Sequence, residues 1–228
     1  MEFTSIPTIK KEICRIGLGT WAIGGWMWGG TEEKEAIETI KQALNRGINL
    51  IDTAPVYGFG QSEEIIGKAL KEYGKRDQVI LATKVGLFWE NEQVFRNSTK
   101  KRLFKEVEDS LRRLQVDYID LYQVHWPDPL TPIAETAEAM NELLTQGKVR
   151  VVGVSNYSVD QMEKFSLKCP LHTSQPPFNI FEKDIENTVL EYCLSHGIAI
   201  LAYGPLCRGL LTKKLKIDTE FKGDDLRK

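Results

Sequence analysis

From Ile16 onward, short runs of β-branched and other apolar residues alternate with stretches in which apolar positions recur at helical spacing. Seven runs read as strands, near residues 16–19, 48–52, 79–84, 119–125, 149–155, 172–176 and 198–203. Between them, Glu32 to Arg46 repeats Ala36, Ile37, Ile40, Ala43 and Leu44 on one helical face, and Gly47 follows as a stop. Ser62 reads as the N-cap of a second helix, with Glu63 and Glu64 at the positive end of its dipole. Helical patterns also cover Leu103–Leu114, Pro132–Gln146, Ser158–Ser166 and Ile185–His196. Strand and helix in strict alternation predict βαβ units around a parallel sheet. With no linker, repeat or low-complexity tract, residues 1–228 are expected to form a single domain.

In such a sheet the C-terminal ends of the strands carry the chemistry. Ile48-Asn49-Leu50-Ile51 leads into Asp52, Val79 to Thr83 into Lys84, and Tyr118 to Val124 into His125, while Tyr57 lies in the loop after Asp52. An acid, a phenol, an amine and an imidazole would therefore meet at one end of the sheet, a set suited to proton transfer. A free phenol titrates near ~10, so Tyr57 needs a neighbouring cation to exchange its proton near neutrality. Lys84 is placed to be that cation, Asp52 to hold it charged, and His125 to donate a hydrogen bond to a substrate oxygen. Two aromatic-rich connections follow strand ends: Trp21 to Thr31, with Trp21, Trp26 and Trp28, and Gly86 to Ser98, with Phe88, Trp89 and Phe95. They are expected to rim the same end, as a wall for a small, partly apolar substrate or as a seal over the sheet.

Composition narrows the alternatives. The 42% hydrophobic and 27% charged residues suit a globular core, and a net charge of -2 gives no reason to expect nucleic acid. Cys14, Cys169, Cys193 and Cys207 form no Cys-x-x-Cys pair, and no secretory leader precedes them, so free thiols and a cytoplasmic location are expected. No apolar run approaches the ~20 residues of a membrane span, and His125, His172 and His196 show no ligand-like spacing, so neither membrane nor metal is expected. The glycines of Gly17-Leu18-Gly19-Thr20-Trp21-Ala22-Ile23-Gly24 miss the Gly-x-Gly-x-x-Gly spacing, which argues against a Rossmann site.

Ile51-Asp52-Thr53-Ala54-Pro55-Val56-Tyr57-Gly58, then Ser62-Glu63 and Gly67-Lys68-Ala69-Leu70, resembles the signature of the aldo-keto reductase family. Ala82-Thr83-Lys84, Asp117 to Pro127, and Gly147-Lys148-Val149-Arg150 to Gly153-Val154-Ser155-Asn156 resemble its further motifs, most closely in bacterial general-stress and inositol-dehydrogenase-like members. The resemblance implies an α/β fold, a TIM (β/α)8 barrel, here incomplete: seven strands are present, and the last strand and helices are missing, as in a chain truncated at its carboxyl end. It implies NADP(H) as cofactor and reversible reduction of a small carbonyl substrate to an alcohol, with Tyr57 as general acid, Lys84 and Asp52 tuning it, and His125 orienting the substrate. By the same resemblance Thr20 and Trp21 lie beside the nicotinamide ribose, and Asp52 is also a cofactor-binding residue. Ser155, Asn156 and Gln175 hold the carboxamide, Tyr203 stacks on the ring, and Gly204, Pro205, Leu206, Arg208, Gly209 and Leu210 line the pyrophosphate. Trp21, Trp28, Tyr57, Phe88 and Trp126 would form the substrate pocket. Near relatives usually carry Gly and then Lys after Leu-Leu-Thr, where this chain has Lys213 and Lys214. Two other functions share these residues: a cofactor-binding regulatory module, as in potassium-channel β subunits, and a Schiff-base aldolase using Lys84.

Overall fold

The computed structural model describes residues 1–228. An antiparallel hairpin, β1 (Phe3–Thr4) and β2 (Ile13–Cys14), precedes the sheet. The chain then alternates β3 (Leu18–Gly19), α1 (Glu33–Asn45), β4 (Leu50–Asp52), α2 (Gln61–Tyr73) and β5 (Ile80–Val85). After β5 a second hairpin, β6 (Leu87–Glu90) and β7 (Gln93–Arg96), leads into α3 (Lys100–Leu114). There follow β8 (Ile119–Val124), α4 (Ile133–Thr145), β9 (Val149–Ser155), α5 (Val159–Ser166), β10 (Thr173–Gln175), α6 (Val189–His196) and β11 (Ala199–Ile200). All seven expected strands are present and pair in parallel, in the spatial order β11-β10-β9-β8-β5-β4-β3. A closed barrel of this type has eight strands; here the curled sheet ends at β3 and β11. Neither hairpin figures in the sequence reading, and α6 begins at Val189 rather than Ile185.

Strand parity sorts the residues into two layers. One set, including Leu81, Val85, Tyr122, Val124, Val152 and Val154, packs against the apolar stripes of the helices. The other set, Leu50, Ile80, Ala82, Leu121 and Val151, faces inward and is closed from below by Ile6 and Ile13 of the first hairpin. One step further along the strands the inward positions turn polar. Lys84 is in register with Gln123, Gln123 with Gly153, and Gly153 with Thr173. The sheet interior is thus an apolar plug beneath a polar layer.

Each helix ends for a local reason. Gly47 follows α1 at φ +87°, and Gly74 caps α2 at φ +71° with its N–H bonded to the Leu70 carbonyl. Ser158 starts α5 in a reciprocal capping box with Gln161. Ser62, expected as the cap of α2, lies inside it: Gly60 stands at the cap and makes no side-chain bond. The Ser62 hydroxyl is instead buried, donating to Thr20 Oγ1 at 2.9 Å and standing 2.9 Å from Thr53 Oγ1 and 3.2 Å from the Thr20 carbonyl. A hydroxyl with that many partners in the interior serves better as a tie between β3, the β4 loop and α2 than as a cap.

Candidate active site

Asp52 is the last residue of β4 and Lys84 the fifth of β5, one strand over. Lys84 is 1% exposed, and each of its three ammonium protons has an acceptor. Its Nζ lies 2.7 Å from Asp52 Oδ2, 2.9 Å from the Thr53 carbonyl and 3.4 Å from the Tyr57 hydroxyl. Burial opposes the Lys84 charge, yet Asp52 and Tyr57 together outweigh it, and the lysine is held charged above its ordinary range. His125 follows β8, with its ring 5.8 Å from that of Tyr57 and nearly perpendicular to it. Burial, with the Lys84 charge adding to it, holds His125 well below the usual histidine range, so the imidazole is neutral at pH 7. All four residues of the predicted quartet therefore meet at the C-terminal ends of the strands.

One electrostatic expectation is corrected. Lys84 does pull the Tyr57 hydroxyl toward ionisation, but burial pushes harder, and the phenol sits above its ordinary value. It is protonated at neutral pH, ready to give a proton rather than take one.

The Tyr57 loop is fixed by a backbone contact. Gly58, at φ +64°, passes so close to Gly24 that a Cβ on it would fall 2.0 Å from the Gly24 carbonyl oxygen. Only glycine satisfies both the angle and the approach. That contact brings the Trp21 loop over the quartet. Trp21 stacks on Tyr57 at 6.1 Å, and Trp28 meets Trp21 edge-on at 5.3 Å. Two further residues back this wall: Asp224 accepts from the Met27 and Gly29 amides, and Arg227 lies over the Trp28 ring at 4.8 Å.

Phe88 does not join this wall. It packs on Phe95 at 5.4 Å and under the Arg102 guanidinium, because alternation along β6 turns Trp89, not Phe88, toward Phe59. Trp126 is covered by Arg96 at 5.0 Å. Of the tryptophans expected in the pocket, Trp21 stacks directly on Tyr57 and Trp28 packs on Trp21.

The residues expected to hold a nucleotide form one connected rim. Thr20 Oγ1 donates to the Asp52 carbonyl at 2.9 Å, and Ser155 Oγ to the Gln175 carbonyl at 2.8 Å. Asn156, at φ +61°, donates to the His125 carbonyl at 3.0 Å and accepts from the Tyr203 hydroxyl at 2.9 Å. Gln175 donates to Asp52 Oδ1 at 3.0 Å. The stretch Gly204-Pro205-Leu206 to Arg208-Gly209-Leu210 forms a turn in which Arg208 and Gly209 both have positive φ. Lys213 adopts φ +60°, a left-handed angle that costs a side-chain residue about 1 kcal/mol.

Sequence reasoning passed over the residues that brace this set. Thr83 donates to the buried Glu63 at 2.6 Å, Glu63 pairs with Arg113, and Glu106 accepts from the Gly86 amide at 2.9 Å, tying β5 to α2 and α3. Gln123 donates to Asp52 Oδ1 at 3.3 Å. Strand parity was the available signal, since Gln123 stands two residues before His125 on the same face.

Among all residues no group of three or more His, Cys, Asp or Glu is arranged to hold a metal ion. No helix is long and apolar enough to cross a membrane.

Comparison with known proteins agrees with this geometry. The aldo-keto reductase YhdN of Bacillus subtilis is 64% identical over 227 residues, covering 100% of this chain and 69% of that protein. The NADH-specific methylglyoxal reductase of Escherichia coli is 41% identical over 233 residues, covering 96% of this chain and 71% of the relative. Among solved structures, the glycerol dehydrogenase of Gluconobacter oxydans superposes with a TM-score of 0.90 at 54% identity, over 99% of this chain and 70% of the other. None of these names refers to inositol or to stress, so the narrower kinship expected from the motifs gains no support. The family match extends to residue 228, and the chain spans about 70% of the length of each of these three proteins. The model of the aldo/keto reductase family matches residues 15–228, and the chain belongs to that family.

Proposed function

We propose that this protein reduces small aldehydes or ketones to alcohols, reversibly, with a nicotinamide nucleotide as cofactor and Tyr57 as the acid. The observation that carries the reading is the Lys84 ammonium, bonded to Asp52 at 2.7 Å and reaching the Tyr57 hydroxyl at 3.4 Å beside a neutral His125. The names of the relatives, two reductases and a glycerol dehydrogenase, agree with carbonyl–alcohol chemistry.

The rim fits a nicotinamide. Ser155, Asn156, Gln175 and Tyr203 offer hydroxyl and amide groups of both hydrogen-bonding senses, as a carboxamide requires, and the buried His125 Nδ1 has no partner of its own. Thr20 and Trp21 would flank the ribose, and the Gly204–Leu210 turn with Arg208 the pyrophosphate. Bound there, the nucleotide would supply the hydride equivalent. The chain's own residues do the rest. His125 orients the carbonyl oxygen by donating a hydrogen bond, and Trp21 and Trp28 shield the site from water. Tyr57 transfers its hydroxyl proton to the oxygen as negative charge develops there, and Lys84 stabilises the phenolate left behind. In the oxidative direction the same phenolate takes the proton back.

The Schiff-base alternative fares poorly on the same geometry. An amine nucleophile must be neutral, whereas Lys84 is held charged and all its protons are engaged. The regulatory-module reading shares the quartet and is separated by turnover alone. Steady-state reduction of aromatic aldehydes and methylglyoxal should be measured with NADPH and with NADH. Turnover with either supports the reading, and NADPH is expected to be preferred. Tight nucleotide binding without turnover on any carbonyl would replace it with the regulatory one.

A further inference from the structure

We infer that Gln123 is a positioning residue for the proposed reaction: it fixes the Asp52 carboxylate in the orientation that keeps Lys84 beneath Tyr57. The inference rests on the reductase reading and adds to it a residue outside the quartet.

Gln123 is fully buried in the inward-facing polar layer of β8, in register with Lys84 on β5. Asp52 divides its oxygens between two tasks. Oδ2 takes the Lys84 ammonium at 2.7 Å, and Oδ1 receives amide protons from Gln175 at 3.0 Å and Gln123 at 3.3 Å. Oδ1 must be held if Oδ2 is to stay on Lys84, because a carboxylate at a strand end is otherwise free to turn about its terminal bond. The two holders are not equivalent. Gln175 belongs to the rim proposed to take the carboxamide, and its amide cannot serve both partners fully. Gln123 has no such second duty.

The surroundings of Gln123 are shaped for this placement. Gly153, its register partner on β9, has no side chain, and the space is filled by Gln123 and Thr173 from either side. A Cβ on Gly153 would lie 2.0 Å from Thr173 Oγ1 and 3.1 Å from Gln123 Cγ. Thr173 in turn stands 3.5 Å from Gln123 Oε1, on the side away from Asp52. A chain of side chains thus runs from β10 through β8 to the carboxylate on β4 and on to Lys84. An apolar residue at 123 would fill the space equally well; only an amide both reaches Oδ1 and presents an acceptor to Thr173.

The test is Gln123→Met, which keeps length and volume but donates nothing, made alone and with Asp52→Asn in the full chain. Urea unfolding of the four proteins reads the link without turnover. The two single changes should be non-additive by about tenfold in the unfolding equilibrium, as for a hydrogen bond to a charged group. In steady-state reduction, Gln123→Met should lower kcat about tenfold, leave nucleotide affinity within about twofold, and shift the alkaline limb of the pH profile in the same direction as Asp52→Asn. In the Asp52→Asn background it should do none of these. Additive unfolding effects, or an equal loss of kcat in both backgrounds, would overturn the role of Gln123. A wild-type protein inactive on every carbonyl would instead overturn the reductase reading, and the unfolding cycle would still decide whether Gln123 holds Asp52.

Discussion

The Tyr57 hydroxyl stands 3.4 Å from Lys84 Nζ, the longest of the three contacts that the ammonium makes. The lysine is anchored by Asp52 and the Thr53 carbonyl, and the phenol is its loosest partner. A proton donor needs that arrangement, since a phenol gripped tightly by a fixed cation would ionise too early to be an acid.

Tyr57→Phe should remove most carbonyl reduction, on the order of a thousandfold in kcat, and change nucleotide affinity little. The ring stacking on Trp21 survives the change and only the proton is lost. Stopped-flow reduction beside a fluorescence titration with nucleotide checks both halves, and wild-type turnover in the variant would exclude Tyr57 as the acid.

Lys84→Met should raise the apparent pKa that limits reduction at high pH, because burial already pushes the phenol up and Lys84 is the cation opposing it. Alcohol oxidation, which needs the phenolate, should then fall at neutral pH. Asp52→Asn should move the same limb less. It weakens the hold on Lys84 but also removes a carboxylate that repels the phenolate. Matching pH–rate profiles in wild type and both variants would break the proposed coupling.

Stability should decline as pH falls below about 6.5, the ordinary histidine value. His125 is buried with its folded-state value depressed by desolvation and by Lys84, and His172 is depressed by burial, so the unfolded chain binds these protons first. Their contribution is complete above that pH and is lost as pH drops through the folded-state values. Urea midpoints from pH 8 to pH 5 measure it. His125→Gln should flatten the slope, and an unchanged slope would assign it to other groups.

Ser62→Ala should destabilise the fold by about 1–3 kcal/mol, since it deprives buried hydroxyls of their common partner. Nucleotide binding should weaken too, because Thr20 is tied to this hydroxyl at 2.9 Å. Chemical denaturation and calorimetric titration on the same variant test the pair. A neutral effect would return Ser62 to the role of a simple helix residue.

The parallel sheet and the quartet were legible because each depends on a signal carried along the chain. Apolar runs mark strands, and Asp52, Lys84 and His125 sit where those runs stop. What escaped depends on contacts across it. Ser62 has the composition of a cap, and only the approach of Thr20 and Thr53 shows its hydroxyl to be spent elsewhere. Phe88 has the position of a rim residue, but the hairpin that turns it away is made by the pairing of Phe88 with Phe95, invisible in a list of aromatics. The rise of Tyr57 above its ordinary value likewise reflects depth, which neighbouring residue types do not disclose.

The docking of Asp224 and Arg227 on the Trp21 loop has an optical consequence. Asp224 and Arg227 pin the segment bearing Trp28, and Trp28 meets Trp21 at 86° with their centres 5.3 Å apart. Two indoles so close and so nearly perpendicular form a coupled chromophore whose near-ultraviolet circular dichroism is set by their mutual angle. The protein therefore carries, without any label, a spectroscopic gauge of whether Asp224 and Arg227 are seated on the Trp28 segment.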